Sequence, residues 1–356
     1  MREKIKKVKQ IYETSEEYRT VREEQKMQHP HLICVTGSIA YGTDRPDSDI
    51  DIRGIVGVEK DIACGLSRDW ETTVFSETDT VMYSYKKAFA MLMKGNPDAL
   101  ALIGQDPGDY LYLSELGRQL VEDHTMFLGA KAVYDSFIGY SDSQMKRLQL
   151  AELGQLEGNK RLIREKKESI LGNAIYNMHT KYGTVQANGI KATFQVPEEP
   201  GEKIQITDFS CQNVSMDDFF DVAKDLKNIT SSFGKKGKRN EKKSDFKLNK
   251  HCMHTVRGIL TGIECLETGK VQIYRQNDLP LLKSILNGDF MGSDVRMLPE
   301  FYELVEDLRR AALYAYEHTV LPQEPDTKRL ADLMSEFVLE DLKKRHPGNC
   351  KEMSRC

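Results

Sequence analysis

Short apolar runs alternate with polar residues through the first third of the chain, and this pattern predicts strands mixed with helices. The run LICVT, Leu32–Thr36, is apolar and β-branched and stops at Gly37, as a buried strand entering a turn does. In DIDIRGIVGV, polar residues alternate with isoleucines, which predicts a second strand with Asp49, Asp51 and Arg53 on one face. A third strand is predicted in SETDTVMYSY.

Helix signals surround these strands. Residues 1–25 are rich in Glu, Lys, Arg and Gln and contain no Gly or Pro, which predicts an N-terminal helix. Ser84 is placed to cap a helix beginning YKKAFAMLMK, and Gly95 is placed to end it. Asn96 and Pro97 then form the cap and first turn of another helix. Strands and helices are therefore expected to alternate in this part of the chain.

The remainder of the chain is predicted to be mostly helical. Apolar residues recur three and four positions apart in QMKRLQLAEL, FFDVAKDL and FYELVEDLRRAALYAYEH. Two apolar segments between Pro and Gly residues predict a hairpin at 182–212, and the polar, basic, Gly-punctuated stretch at 234–250 predicts a flexible loop. A chain of 356 residues suggests two domains, which we expect at 1–125 and 126–356.

Composition narrows the functional classes. A formal net charge of -4 gives no overall field toward nucleic acid or membrane, so any RNA contact must come from a local patch. No apolar run approaches the ~20 residues that cross a bilayer, and the charged N-terminus has no signal-peptide core. The 7 cysteines include no CxxC pair, which argues against a disulfide framework. We expect a cytoplasmic protein without membrane association; nothing in the pattern bears on its oligomeric state.

The stretch from Gly37 to Asp51 has the residues that phosphate chemistry requires. Aspartates two apart on a strand lie on one face, roughly 6.6 Å apart at ~3.3 Å per residue, so their carboxylates can converge on metal ions ~4 Å apart. Mg²⁺ prefers such oxygen ligands. The Gly37-Ser38 pair allows backbone N–H groups to approach phosphate oxygens and adds a hydroxyl donor. An isolated Asp-x-Asp is often only a solvated strand face, but here the Gly-Ser turn precedes it.

A third carboxylate is expected on a neighbouring strand, as a base or second metal ligand for an incoming hydroxyl. Asp79 is the candidate because it opens the next strand-like run, and Glu77 is the alternative.

These residues carry a resemblance. The pattern G-S-x10-D-x-D, formed by Gly37, Ser38, Asp49 and Asp51, resembles the signature of the DNA polymerase β-like nucleotidyltransferase superfamily. The fuller motif, GSxAYGT followed by SDIDxRG, is similar to a bacterial and phage family of predicted nucleotidyltransferases, some associated with RNA repair. The segments YSYKKAFAMLMKGNPDALALIG and KHCMHTVRGILTGIECLETGKVQIYR also resemble that family.

The resemblance implies an α+β fold, with a polymerase β-like core and a mainly helical C-terminal domain. By position, it implies that Gly37 and Ser38 bind a nucleoside triphosphate. It also implies that Asp49 and Asp51, with Asp79, hold two Mg²⁺ or Mn²⁺ ions and carry catalysis.

Other residues have alternatives that the sequence leaves open. Arg53 can contact the triphosphate or form an ion pair with Asp51, and Tyr41 can stack on a base or belong to the core. Three further basic residues stand at i, i+4 and i+7 on one helix face, where they can contact an acceptor or phosphate or simply be surface residues: Lys250, His254 and Arg257.

The predicted reaction is transfer of a nucleoside monophosphate from a triphosphate to a hydroxyl, with release of pyrophosphate. An RNA 3′ end, such as that of tRNA, is the favoured acceptor. A protein hydroxyl modified by AMP transfer and synthesis of an oligonucleotide messenger are compatible with the same motif. The non-enzymatic alternative is a nucleotide- or RNA-binding module, although two carboxylates facing phosphates would repel them without a metal.

Overall fold

The computed structural model describes most of the chain. The described ranges are 2–24, 29–155, 189–196, 204–234, 245–292 and 297–343, with a few positions between 164 and 178.

Seven strands are present in these ranges. They are β1 (Pro30–Val35), β2 (Ile52–Val56), β3 (Thr72–Phe75), β4 (Thr80–Ser84), β5 (Tyr110–Leu113), β6 (Ile190–Gln195) and β7 (Gln205–Cys211). The first five form one mixed sheet in the order β3-β4-β2-β1-β5. Within it β2 and β4 are parallel, and the other neighbours are antiparallel.

Thirteen α-helices are described in the same ranges. They are α1 (Glu3–Thr14), α2 (Arg19–Glu23), α3 (Gly37–Tyr41), α4 (Lys60–Ala63), α5 (Tyr85–Leu92), α6 (Pro97–Ile103), α7 (Glu115–Glu122), α8 (Ala130–Gln155), α9 (Met216–Gly234), α10 (Asp245–Thr268), α11 (Leu279–Asn287), α12 (Pro299–Glu317) and α13 (Thr327–Lys343). The predicted α+β class, with a mostly helical C-terminal part, is confirmed.

The predicted caps form as expected. The Ser84 hydroxyl accepts a hydrogen bond from the Lys87 N–H at 3.1 Å at the start of α5. The Asn96 side chain accepts from the N–H groups of Asp98 and Ala99 at the start of α6. Both contacts satisfy amides that have no partner within their own helix.

The N-terminal helix predicted over residues 1–25 is two helices instead. The chain becomes extended at Ser15 between α1 and α2. Arg22 donates to the carbonyl oxygens of Tyr12 and Ser15, at 2.5 and 2.9 Å, and so satisfies acceptors that the break releases. The break also lets Tyr18, which is 2% exposed, enter the core. Helix propensity alone carries no signal for this burial.

Alternating residues of the central strands supply two separate cores, one on each face of the sheet. On one face, Leu32 and Ile55 pack with the helices that include α5, α6 and α13. On the other, Ile33 and Ile52 pack with α1 and α2. The sheet is therefore covered by helices on both faces.

The chain divides into two compact units, each made of more than one segment. The first contains residues 1–141, 254–284 and 300–356, and the second contains 142–253 and 285–299. This grouping differs from a single boundary after residue 125, because C-terminal helical segments pack within the first unit.

The second unit includes the antiparallel pair β6 and β7, which lies within the hairpin predicted at 182–212. Within the loop predicted at 234–250, Gly234 belongs to α9 and residues 245–250 belong to α10 instead. Leu248 and Asn249 are buried, so the beginning of α10 is packed on one side. Residues 235–244 lie outside the described ranges.

None of the described helices is both long and apolar enough to span a bilayer.

Two leucines of α13 test the packing of the first unit. Leu333 is 3% exposed in the core, whereas Leu339 on the same helix is 51% exposed. We expect Leu333→Ala to cost ~2–5 kcal/mol through lost burial and a cavity, and to lower the melting temperature by at least about 4 °C. Thermal unfolding followed by circular dichroism measures this.

The matched control is Leu339→Ala, for which we expect a change within ~0.5 kcal/mol. Equal melting temperatures for the two variants would contradict the burial assigned to α13.

Candidate active site

Three segments of the sheet meet at one edge and bring the predicted motif together. Because β2 is antiparallel to β1 and parallel to β4, the end of β1 lies beside the starts of β2 and β4. Gly37 follows β1 after one residue, Asp51 immediately precedes β2, and Asp79 immediately precedes β4. The fold therefore places the Gly-Ser turn and two of the predicted carboxylates at the same edge.

The Asp51 carboxylate lies directly against the backbone of Gly37. A Cβ atom at position 37 would be 2.0 Å from Asp51 Oδ2, and the φ of Gly37 is +64°. Both the space and the left-handed backbone therefore require glycine. The main chain joins the same two segments, since the Thr36 N–H donates to the Asp51 carbonyl at 2.8 Å. This contact brings a carboxylate and the Gly-Ser turn together.

Ser38 is the second residue of α3 and is half-buried. The Thr43 N–H donates to the Ser38 carbonyl at 3.0 Å, which closes the chain after this short helix. α3 begins at Gly37 itself. The Ser38 side chain thus belongs to the first turn of α3.

The aspartates precede the strands rather than lying within them. β2 begins at Ile52 and β4 at Thr80, so the prediction that Asp49 and Asp51 occupy a regular strand is wrong. The physical reason is that β1 ends at Val35, opposite Ile52, and the chain then turns into α3. Asp49 therefore has no strand neighbour on that side and is exposed, whereas Asp51 is half-buried.

Arg53 holds the two strand starts together. Its Nη2 lies 3.4 Å from Asp51 Oδ1, and its Nη1 donates to the Asp79 carbonyl at 2.5 Å. The Ile52 N–H also donates to that carbonyl, at 3.3 Å. Of the two roles that the sequence left open for Arg53, the structure thus shows the contact with Asp51.

Asp79 occupies the turn that joins β3 to β4. Its backbone is left-handed, with φ 44° and ψ 37°, and its side chain is exposed. Glu77, the alternative third carboxylate, lies in the preceding 3₁₀ turn and is also exposed. The carbonyl of Asp79 is fixed by the contacts of Ile52 and Arg53, which favours Asp79 over Glu77 as the residue next to Asp51.

Tyr18 is a neighbour of these carboxylates that the sequence did not indicate. Burial, with smaller contributions from the charges of Glu17, Asp79 and Asp51, raises the pKa of Tyr18 to about 12. Its hydroxyl is therefore neutral at physiological pH and can act as a donor. Tyr18 belongs to the same core cluster as Ile39 of α3 and Ile52 of β2. It directly precedes α2, and no periodicity or motif in that segment distinguishes it from other aromatic residues.

Tyr41 at the end of α3 is in contact with Arg257, another residue predicted to belong to the site. The guanidinium carbon of Arg257 lies 3.5 Å from the centre of the Tyr41 ring. This cation–π contact covers one face of the half-buried Tyr41, the residue predicted to stack on a base. His254 is half-buried in the first unit, and Lys250 is exposed in the second. Arg257, a residue of the predicted basic face, is thus in contact with Tyr41.

Part of the chain matches a known protein family. Residues 12–164 match the model of the family described as RlaP, the RNA repair pathway DNA polymerase beta family. No curated protein and no solved structure matches the chain significantly. The matched range contains the Gly-Ser turn, all three predicted aspartates and the five-stranded sheet. The match over residues 12–164 supports a relationship of this part of the chain to the polymerase β-like nucleotidyltransferase family.

Proposed function

We propose that this protein transfers a nucleoside monophosphate from a nucleoside triphosphate to a hydroxyl acceptor, with Mg²⁺ or Mn²⁺ as cofactor and pyrophosphate as product. The observation that carries the proposal is the close approach of the Asp51 carboxylate to the Gly37 backbone. It supports the proposal because a carboxylate can ligate a divalent cation and a glycine turn beside it can offer N–H groups to phosphate oxygens.

The carboxylates fit the expected divalent cation. Among the described residues, no three His, Cys, Asp or Glu side chains are grouped closely enough to hold an ion by themselves. Mg²⁺ sites in phosphate chemistry commonly use only one or two carboxylates and complete their ligands with water and substrate phosphates. Asp49 and Asp51 would supply those carboxylates, with Asp79 serving a second ion. When bound, such ions neutralise the charge of the triphosphate and stabilise the attacking and leaving oxygens.

The chain's own residues would then orient the reactants. The N–H groups and hydroxyl of Gly37 and Ser38 bind the triphosphate, and Arg53 keeps Asp51 in place through its Oδ1 contact. Asp79 accepts the proton of the attacking hydroxyl. A bond forms from the acceptor oxygen to the α-phosphorus, the bond from that phosphorus to the β-phosphate oxygen breaks, and pyrophosphate leaves.

An RNA 3′ end, such as that of tRNA, is the proposed acceptor. Its support is the description of the matched family, which names an RNA repair pathway. Lys250 and Arg257 each carry a positive charge suited to contact with a phosphate backbone. Three other outcomes would replace this proposal: AMP transfer to a protein, synthesis of an oligonucleotide messenger, and nucleotide binding without catalysis.

The test incubates the purified protein with each α-³²P-labelled ribonucleoside triphosphate, Mg²⁺ or Mn²⁺, and total cellular RNA. Label in RNA supports the proposed acceptor and identifies the nucleotide. Label on protein would instead establish AMP transfer, and labelled short oligonucleotides would establish messenger synthesis. If the triphosphate binds equally well with and without Mg²⁺ and no label is transferred, the protein would instead be a nucleotide-binding module without catalysis.

Removal of one metal ligand should abolish most of the activity. We expect Asp51→Asn to lower kcat/KM for transfer by at least about a hundredfold, because an amide cannot replace the charge of a ligating carboxylate. Asp49→Asn should act in the same direction. Steady-state rates of label transfer measure the effect.

Asp47→Asn is the matched control, since Asp47 is an exposed aspartate in the same loop. We expect it to keep transfer within about twofold of wild type. Wild-type turnover in Asp51→Asn would remove Asp51 from the proposed chemistry.

The glycine contact can be tested separately from backbone strain. A Cβ at Gly37 would displace the Asp51 carboxylate, whereas at Gly65, with φ +76°, nothing lies within 4 Å of the added atom. The left-handed backbone conformation should destabilise both alanine variants by a similar ~1–2 kcal/mol. We therefore expect Gly37→Ala to lose transfer and Gly65→Ala to keep it, although both lose stability.

The measurement compares the transfer rates of the two variants at a temperature where circular dichroism shows that both are folded. Equal activity of the two variants would show that the Gly37–Asp51 contact does not govern the reaction.

A further inference from the structure

The N-terminal segment contacts the C-terminal end of α3. Nη1 of Arg2 donates to the carbonyl oxygens of Ala40 and Ile39, at 2.9 and 3.3 Å. Carbonyls in the last turn of a helix have no amide partner within that helix. The guanidinium supplies a donor for the Ala40 carbonyl and a second donor for the Ile39 carbonyl, which also accepts from the Gly42 N–H at 3.3 Å. Its positive charge complements the negative end of the helix. Arg2 therefore caps α3 from outside the α3 segment.

Arg2 is itself fixed by a buried carboxylate. Its Nε lies 2.6 Å from Asp109 Oδ2, and its backbone N–H donates to Oδ1 at 2.8 Å. The Asp109 side chain is 2% exposed. Asp109 immediately precedes β5, which pairs with β1. The guanidinium thus connects α3 to a position anchored in the sheet.

A second set of contacts holds the same end of α3. The guanidinium carbon of Arg2 lies 4.3 Å from the centre of the Tyr274 ring. That ring packs on Gly42, where a Cβ would be 2.6 Å from Tyr274 Cε2. Lys4 forms an ion pair with Asp44 in the loop that follows. The residues after α3 are therefore held from the N-terminal segment and from Tyr274.

From these contacts we infer that Arg2 is a positioning residue for the triphosphate, acting through α3; this inference rests on the proposed function. α3 spans five residues, Gly37–Tyr41, or ~7.5 Å at ~1.5 Å per residue. A helix this short moves as one body, so a shift at Ala40 also shifts Gly37 and Ser38. Arg2 contacts α3 and Asp109 rather than the predicted carboxylates. Its loss should therefore weaken triphosphate binding more than it slows the chemical step.

Arg2→Lys is the informative variant. Lysine keeps a positive charge for Asp109 and so protects the fold, but its single ammonium cannot contact Asp109 and the two α3 carbonyls as a guanidinium fork does. We expect the KM and the calorimetric Kd for the preferred triphosphate to rise about tenfold, a loss typical of hydrogen bonds to a charged group. The KM for the acceptor and kcat should stay within about twofold.

Two further variants complete the experiment. Lys7→Ala removes an exposed basic residue of α1 and should leave all constants unchanged. Arg2→Ala should show the same rise in KM, and millimolar guanidinium chloride should lower that KM, whereas equal sodium chloride should not. A purely structural role would reduce the active fraction, and hence kcat, without this rescue.

The outcomes separate this inference from the proposed function. Wild-type transfer with unchanged KM and Kd in Arg2→Lys and Arg2→Ala would overturn the role of Arg2 alone. A wild-type protein that binds no triphosphate in the presence of Mg²⁺ would overturn the proposed function, and the role of Arg2 with it.

Discussion

The Asp51 carboxylate lies so close to the Gly37 backbone that no side chain fits between them. The surrounding topology makes this contact available. β1 must end at Val35, the chain must turn with a left-handed glycine, and β2 must begin directly after Asp51. Parallel pairing of β4 with β2 then adds Asp79 at the same edge. The strand ends thus bring Asp51, Asp79 and the Gly-Ser turn to the same edge of the sheet.

Support for this edge comes from segments that are far apart in the sequence. Arg2 caps α3 from the N-terminal segment, Arg257 covers Tyr41 from α10, and Tyr274 packs on Gly42. Short helices such as α3 gain little stability from their own hydrogen bonds, so neighbouring contacts must fix their position. These contacts are made to Ala40, Tyr41 and Gly42, so among the described residues they leave the Ser38 hydroxyl and the amides of the Gly-Ser turn unused.

Local signals in the sequence were sufficient for many elements. Ser84 and Asn96 form the predicted caps because an N-cap depends on residues only two or three positions away. The start of β2 at Ile52, directly after Asp51, was not predictable in this way. It depends on where the paired strand β1 ends. The burial of Tyr18 and the contact of Arg2 with Asp109 depend on tertiary packing, for which one sequence carries no periodic signal. The Gly-Ser and Asp-x-Asp residues could be proposed as a site from their spacing because Gly37, Ser38, Asp49 and Asp51 lie within one connection between neighbouring strands.

Metal binding with substrate tests the central claim most directly. The electron paramagnetic resonance signal of free Mn²⁺ would be titrated with protein at a fixed triphosphate concentration, for the wild type and for Asp49→Asn/Asp51→Asn. If these carboxylates hold the metal beside the triphosphate, the wild type will remove Mn²⁺ from solution beyond the nucleotide-only level, and the double variant will not. Equal Mn²⁺ binding by the two proteins would contradict the assignment of this edge as the metal-dependent active site.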